Sequence, residues 1–298
     1  MKVALTGSTG LIGVALSEKL RALGHEVIAM RRQEPVGDSA IYWNPATKEI
    51  DADSLEGIDA LVHLAGENIA SARWTKSQKA RIRDSRIGGT RLLSDALAKL
   101  KSPPKVFVSG SAIGFYGERG DEVLSEESES GAGFLPETCV EWEDATKSAS
   151  EAGVRVVLLR TGVALSPKGG AIARMMTPFK LGIAGKLGSG KQYMSWISLD
   201  DIVGAIIHAM NNDTLSGAVN GTSPNPVTNL EFTKAMGRVL RRPTIFPMPA
   251  FVVRLLFGEM GEAAILASAR VEPKKLLESG YKFERAELES ALRYQLKR

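Results

Sequence analysis

Apolar and polar positions follow two different patterns along the first half of the chain. Short apolar runs predict buried strands at 2–6, 25–30, 40–43, 59–64, 105–109 and 154–160. Apolar positions with helical spacing predict helices at 11–23, 75–100 and 137–152. Strands that alternate with helices are typical of a parallel sheet joined by right-handed crossovers and covered on both faces. The sequence therefore predicts an α/β fold with a doubly wound parallel sheet, the Rossmann arrangement.

The pattern becomes looser after about residue 165, where glycine and proline are frequent and helices at 201–210 and 251–257 stand apart. We predict a Rossmann domain over residues 1–164, to which 196–221 returns. A smaller substrate lobe, interleaved with it, would consist of residues 165–195 and 222–298.

The first strand runs into the first helix through a glycine-rich segment, TGSTGLIG at 6–13. Glycine allows the sharp turn and lets the backbone approach a pyrophosphate, while the helix N-terminus presents free N–H groups to the anion. A glycine-rich turn without a ligand is the alternative, but the strand–loop–helix context favours a dinucleotide. The predicted cofactor contacts in this segment are Thr6, Gly7, Thr9, Gly10, Leu11, Ile12 and Gly13.

Two arginines, Arg31 and Arg32, follow the second predicted strand. Proteins that prefer NAD usually carry an acidic residue here, which hydrogen-bonds the ribose 2′-hydroxyl. A guanidinium instead suits a 2′-phosphate through charge-assisted, bidentate hydrogen bonds. The sequence therefore predicts NADP(H) as the cofactor. The alternative is that both arginines are solvated surface residues that do not contact a cofactor.

Composition narrows the class of protein further. The chain has 298 residues, 44% of them hydrophobic, and a formal net charge of +4. Its one cysteine, Cys139, and three scattered histidines exclude an internal disulfide and predict no metal site. Basic and acidic residues are interspersed, which is typical of a solvated surface and disfavours binding of nucleic acid. No run approaches the ~20 apolar residues of a membrane span. The N-terminus lacks a signal-peptide pattern, so we expect a cytoplasmic protein. We expect a small-molecule substrate, and whether the protein forms a homodimer is left undecided by the sequence.

Three motifs resemble those of the extended short-chain dehydrogenase/reductases: the TGxxGxxG start, HLAG at 63–66 and SGSAIGFYG at 109–117. That superfamily comprises NAD(P)-dependent epimerases, dehydratases and reductases. Longer segments are similar to an atypical branch, the YfcH-like epimerase-family proteins. Those segments cover 64–74, 79–90, 109–117, 158–170, 187–201 and 247–281, so the resemblance extends over essentially the whole chain.

The resemblance implies roles for residues beyond the glycine-rich loop. Ser111 would hydrogen-bond the reacting hydroxyl or carbonyl of the substrate. Three residues at the end of the 59–64 strand and just after it would pass their backbone beside the cofactor, namely Leu64, Ala65 and Gly66. Three residues after the 154–160 strand would border the nicotinamide, namely Thr161, Gly162 and Val163.

The chain departs from this family pattern at the proton donor. Extended reductases use Tyr-x-x-x-Lys, in which the lysine cation lowers the pKa of the phenol for acid–base catalysis. No tyrosine here has a lysine four residues later, and the expected positions fall near Leu135 and Cys139. Tyr116, the phenol nearest Ser111 in sequence, is the catalytic candidate that remains. The alternative is that Tyr116 packs or contacts substrate.

Other polar residues offer weaker candidates. Glu137 and Glu141 share one face of the 137–152 helix and could act as acid or base. His63 closes a buried strand and is interpreted as structural, whereas Arg160 and Arg174 could pair with an anionic substrate.

Two functions therefore stay open. The first is an NADP(H)-dependent oxidoreductase or epimerase of unknown substrate, in which Ser111 orients the reacting oxygen. The second is an NADP(H)-binding regulatory or sensor protein with little turnover, for which the resemblance suggests a link to cell division.

Overall fold

A computed structural model describes residues 1–33 and 40–298. The strands are β1 Lys2–Thr6, β2 Glu26–Arg31, β3 Ala40–Asn44, β4 Glu49–Ile50, β5 Ala60–His63, β6 Val106–Ala112, β7 Val123–Leu124, β8 Arg155–Thr161, β9 Val163–Leu165, β10 Tyr193–Met194, β11 Trp196–Ser198, β12 Gly217–Gly221, β13 Val227–Thr228 and β14 Arg270–Val271. The helices are α1 Leu11–Ala22, α2 Lys76–Leu97, α3 Phe134–Asp144, α4 Lys147–Glu151, α5 Gly170–Lys180, α6 Leu199–Asn211, α7 Asn229–Leu240, α8 Ala250–Phe257, α9 Lys274–Glu278 and α10 Leu288–Gln295.

Eight strands form the central sheet in the order β12-β8-β6-β5-β1-β2-β3-β4. All neighbours in it are parallel except β3 and β4. The order reverses at β1, since β2 lies on one side of it and β5 on the other. Ligands of such sheets bind outside the carboxyl ends of the strands at this switch point. The predicted doubly wound α/β fold is confirmed.

Both faces of the sheet are buried, which explains why its strands are apolar without alternation. In β1, Val3 and Leu5 pack with α1 and α6 on one face, and Ala4 packs with residues of α2 on the other. Neighbouring Leu61 and Val62 of β5 divide between the same two clusters. The successive side chains of each strand therefore supply two separate cores.

A third apolar cluster forms the core of the region predicted as a substrate lobe. Its largest buried members include Phe179 and Phe232, and Trp196 packs in the same cluster although it begins the segment predicted to return to the Rossmann domain. The chain then returns to the Rossmann portion, because β14 pairs with β7 in a separate two-stranded sheet and the hydroxyl of Tyr281 donates to the Asp201 carbonyl of α6 at 2.9 Å. Part of the predicted 222–298 segment thus packs on the Rossmann portion, and the proposed domain boundaries stay predictions.

Two differences from the predicted elements affect the surroundings of Ser111. Strand β6 continues three residues beyond the predicted end, so that Ser111 lies within the sheet. The single helix predicted over 137–152 consists of α3 and α4. At the break between them, the Thr146 hydroxyl donates to the Glu143 carbonyl, and the Ala149 N–H donates to the Ser94 hydroxyl. These local hydrogen bonds compete with the continuous helical pattern.

Candidate functional site

The loop between β1 and α1 leaves the first amides of α1 without side-chain partners. Gly10 caps the helix with no side-chain hydrogen bond, and the first turn contains no acidic residue. Gly7 has a φ of +68°, and a Cβ on Gly13 would overlap the Gly7 carbonyl group. The loop is therefore a glycine-dependent cradle at an N-terminus whose amides have no side-chain partner, which fits a pyrophosphate.

The glycine-rich loop also contacts the segment after β5. A Cβ on Gly7 would lie 2.8 Å from the Ala65 nitrogen and from the Leu64 carbonyl carbon. The backbone N–H groups of Leu64 and Ala65 donate to the Thr6 hydroxyl at 3.1 and 3.3 Å. The structure thus brings two of the predicted cofactor segments together at the switch point of the sheet.

His63 supports this junction from inside the sheet. Its Nδ1 lies 2.6 Å from the Thr6 hydroxyl oxygen, which accepts the two loop amides and therefore donates its own proton to the ring. Burial, together with the nearby Arg86 cation, lowers the pKa of His63 to about 3. The imidazole is thus neutral and structural, and the Thr6 side chain is occupied within the protein.

Arg31 and Arg32 lie at the carboxyl end of β2, on the side of β1 opposite to β5. Both side chains are exposed. In open α/β sheets this strand end approaches the adenosine ribose of a bound dinucleotide. The position is compatible with recognition of a ribose phosphate, and this role of the two arginines stays a prediction.

The segment Thr161–Val163 leaves β8 at the same edge of the sheet. Thr161 pairs with Ala112 of β6, so this segment lies next to the strand end that carries Ser111. A Cβ on Gly162 would lie 2.7 Å from the Ser195 carbonyl oxygen. Glycine is therefore required for the close passage of the chain here.

Ser111 is held by a buried ion pair. Its hydroxyl donates to Oε1 of Glu143 at 2.6 Å, and Arg160 donates to both carboxylate oxygens at 2.8 Å. The side chains of Arg160 and Glu143 are 5% and 10% exposed. Strand pairing brings Arg160 next to Ser111, because the two residues are register partners on β8 and β6. The position of the Ser111 hydroxyl is therefore fixed by a carboxylate that is itself held in place.

Tyr116 extends this network into the interior. Its side chain is fully buried, and its hydroxyl donates to Oδ1 of Asn220 at 2.7 Å and accepts from Arg160 at 3.0 Å. Burial raises the pKa of Tyr116 above its usual range. The Arg160 guanidinium also stacks on Phe115, 3.4 Å from the ring centroid. These contacts favour the packing role for Tyr116 over direct proton transfer to a substrate.

Helix α3 presents no Tyr-Lys pair to Ser111. Leu135 approaches Gly114, and the Cys139 thiol points to the Ala112 carbonyl oxygen at 3.8 Å. Burial, followed by the Glu143 charge, raises the pKa of the Cys139 thiol to about 12. The two positions identified from sequence do face the end of β6, but their side chains are apolar or inert there.

The carboxylate at the site is one that sequence analysis missed. Glu137 is exposed, and Glu141 pairs with Arg83 on the surface, so neither contacts Ser111. Glu143 lies four residues after Cys139, on the same helical face one turn further on. That spacing is the signal that could have identified it. Arg160, considered for an anionic substrate, is occupied by Glu143 instead.

Two further properties concern the described residues. Within 1–33 and 40–298, no group of three or more histidine, cysteine or acidic side chains has the arrangement of a metal site. None of the helices in these ranges combines the length and apolarity needed to cross a bilayer.

Fold and loop together define a Rossmann-type dinucleotide-binding protein. Residues 3–220 match the model of the NAD dependent epimerase/dehydratase family, and residues 248–295 match a domain of unknown function, DUF1731. The chain therefore belongs to the NAD dependent epimerase/dehydratase family.

Similar proteins and structures agree with this assignment. An epimerase family protein of Mycobacterium tuberculosis is 45% identical over 292 residues, which cover 98% of this chain and 96% of that protein. Human epimerase family protein SDR39U1, in a crystal structure with NADPH, has a TM-score of 0.92 at 34% identity and covers 100% of this chain and 99% of its own. The Thermotoga maritima UDP-glucose 4-epimerase, at 20% identity and a TM-score of 0.77, shares the fold and covers 100% of this chain and 98% of its own. The narrower YfcH-like assignment stays a prediction.

Proposed function

We propose that the chain binds NADP(H) and acts as an oxidoreductase or epimerase-type enzyme on a small molecule. The observation that carries this proposal is the Ser111 hydroxyl, fixed by Glu143 at the carboxyl edge of the sheet, on the second strand from the one that leads into the glycine-rich cradle. A reactive oxygen held rigidly near a dinucleotide site is what such chemistry requires.

The cofactor would be held by groups already described. The glycine-rich loop of residues 7–13 would face the pyrophosphate with those of its amides that lack a partner in the protein, and Leu64, Ala65 and Gly66 would pass their backbone along the dinucleotide. Arg31 and Arg32 would take the 2′-phosphate, a role that the NADPH of the human relative supports. Thr161, Gly162 and Val163 would border the nicotinamide, which supplies a carbon that accepts or donates hydride when the cofactor is bound.

Ser111 and Glu143 would handle the proton. Because the Ser111 hydroxyl already donates to Glu143, its oxygen can accept a hydrogen bond from a substrate alcohol. As the alcohol is oxidised, its proton would pass to the Ser111 oxygen while the Ser111 proton passes to Glu143. Carbonyl reduction would reverse both transfers. Tyr116, named as a catalytic candidate, would act on Ser111 only through Arg160 and Glu143.

A turnover screen tests this proposal. The protein is loaded with NADPH, and loss of nicotinamide absorbance is followed over a panel of aldehydes and ketones. Turnover should be abolished in Ser111→Ala and reduced at least about 100-fold in Glu143→Gln. Ser109→Ala is the matched control, since Ser109 lies two residues earlier on the same strand and bonds only the Gly110 carbonyl. Equal turnover in Ser111→Ala and the wild type would contradict the assignment.

One observation favours a second function, an NADP(H)-binding regulatory protein. Leu135 and Cys139 occupy the places of the usual tyrosine and lysine, and neither transfers protons there. Tight NADPH binding without turnover over the whole panel would support that function.

A further inference from the structure

A cavity of about 200 Å³ lies between the loop that follows β5, helix α5 and the end of helix α8. Two of its lining residues are cationic, Arg73 from the loop and Arg174 from α5. The others are apolar, namely Ala70, Ala72, Leu256, Phe257 and Met260. None of the groups described above for proton handling or cofactor binding lines this cavity.

The two guanidiniums of the cavity are available to a ligand. Both side chains are exposed, and within residues 1–33 and 40–298 neither forms an ion pair. Carboxylates on either side of Met260 are engaged elsewhere, because Glu259 pairs with Lys79 at 2.8 Å and Glu262 pairs with Arg254. The two positive charges of the cavity are therefore not paired with either of these carboxylates, which favours an anion.

Arg73 is oriented by the end of α8. One of its terminal nitrogens donates to the Leu255 carbonyl oxygen at 3.4 Å, and Gly258 turns beside the guanidinium with a φ of +60°. A Cβ on Gly258 would lie 3.2 Å from Nε of Arg73. The same helix end presents Leu256, which is 56% exposed, to the cavity. A cation and an apolar surface are thus held side by side.

The cavity adjoins the cradle for the cofactor through α5. A Cβ on Gly169, the residue before this helix, would lie 3.6 Å from Cδ1 of Leu11 in the glycine-rich loop. Arg174 follows one helical turn after Gly170, the first residue of α5. A molecule bound to Arg174 would therefore lie on the same side of the protein as the cofactor.

We propose that this cavity binds an amphiphilic substrate, with a carboxylate or phosphate on Arg73 and Arg174 and an aliphatic body against Leu256, Phe257 and Met260. Its volume is below the roughly 300–1,000 Å³ of ordinary ligand sites, so it takes one end of the molecule. A nucleotide or sugar would leave its polar edges unpaired against these apolar walls. The inference rests on the proposed function and names its substrate class.

Calorimetry with defined probes tests the inference. NADPH is titrated first, and the loaded protein is then titrated separately with octyl phosphate, octanoate, inorganic phosphate, 1-octanol and UDP-glucose. The two octyl anions distinguish phosphate from carboxylate recognition. We expect one of them to bind at least about tenfold more tightly than inorganic phosphate or octanol, since only an octyl anion makes both the ionic and the apolar contacts. Shortening the chain to hexyl should weaken binding about three- to fourfold per methylene.

Variants locate that binding in the cavity. Arg174→Gln should weaken the octyl anion about tenfold or more, because a charged hydrogen bond is lost. Leu256→Asn should weaken it as well, and its exposed position spares the fold. Arg91→Gln, an exposed arginine on α2, is the matched control and should change nothing. An unchanged affinity in Arg174→Gln, or UDP-glucose bound more tightly than either octyl anion, overturns the inference.

The two proposals fail in different ways in this experiment. Intact NADPH affinity with no binding of either octyl anion overturns the substrate class alone. Octyl binding that depends on Arg174, with no affinity for NADPH, sustains the cavity and overturns the cofactor-dependent function.

Discussion

The buried pair of Glu143 and Arg160 allows a quantitative test of how Ser111 is held. The side chain of Arg160 is 5% exposed. In Glu143→Leu its guanidinium loses its hydrogen bonds to both oxygens of the Glu143 carboxylate and keeps its contacts with the Tyr116 hydroxyl and the Phe115 ring. An uncompensated charge at such a site costs about 3–5 kcal/mol in the free energy of unfolding. Arg160→Met should cost a similar amount, because Glu143 then retains only its hydrogen bond from Ser111.

The double variant separates the pair from its surroundings. With both charges removed, neither is left buried and unpaired, so the double variant should be no less stable than either single variant. The coupling energy between Glu143 and Arg160 is then at least about 3 kcal/mol. Urea unfolding at pH 7 measures it, followed both by tryptophan fluorescence and by far-ultraviolet circular dichroism, since agreement between the two signals supports two-state analysis.

A control pair joins the same helix, α3, to helix α2. Glu141 and Arg83 form an ion pair whose side chains are 42% and 47% exposed. Glu141→Leu and Arg83→Met should each change stability by no more than about 1 kcal/mol. If the effects of Glu143→Leu and Arg160→Met add to within about 0.5 kcal/mol, the two side chains do not interact as described and the account of Ser111 is refuted.

Three further predictions address the cradle, the buried histidine and the thiol. Gly13→Ala should abolish NADPH binding in calorimetry while Gly88→Ala, a helical glycine with open space around its Cβ, should not, because only the first Cβ meets the loop backbone. The pKa of His63 is lowered to about 3, below its unfolded value of ~6.5, so its stabilising effect is present above pH 6.5 and is lost as the pH falls towards 3. When the pH falls from 7.5 to 5.0, the wild type should therefore lose ~2 kcal/mol more of its free energy of unfolding, measured with urea, than His63→Gln does. Equal losses in the two proteins would contradict this. Because burial raises the pKa of Cys139 to about 12, mass spectrometry should find it unmodified after an hour with iodoacetamide at pH 8 in the native protein and alkylated in urea.

The sequence was sufficient for the fold because local patterns and tertiary structure agree there. The run at Lys2–Thr6 and the start of α1 at Leu11 were both predicted, since the strand is buried on two faces and glycine separates it from the helix. The same consistency made the cofactor cradle predictable, as its chemistry resides in consecutive residues.

The site around Ser111 was only partly predictable. Glu143 and Arg160 come from a helix and a strand, and only the register of β6 with β8 places Arg160 beside Ser111. No spacing along the chain encodes that contact. Tyr116 is the tyrosine nearest to Ser111 in sequence, but the turn after β6 directs its ring into the core. There its hydroxyl donates a hydrogen bond to Asn220 of β12.

We propose that the cradle after β1 binds a dinucleotide whose 2′-phosphate contacts Arg31 and Arg32. Calorimetric titration of the wild type and of the Arg31→Asp, Arg32→Ala double variant with NADPH and NADH tests it directly. The wild type should bind NADPH about 10- to 100-fold more tightly than NADH, since each charged hydrogen bond contributes roughly 1.5–3 kcal/mol, and the double variant should reverse the preference. A wild type with no affinity for either dinucleotide, or a double variant that still prefers NADPH, would contradict the account.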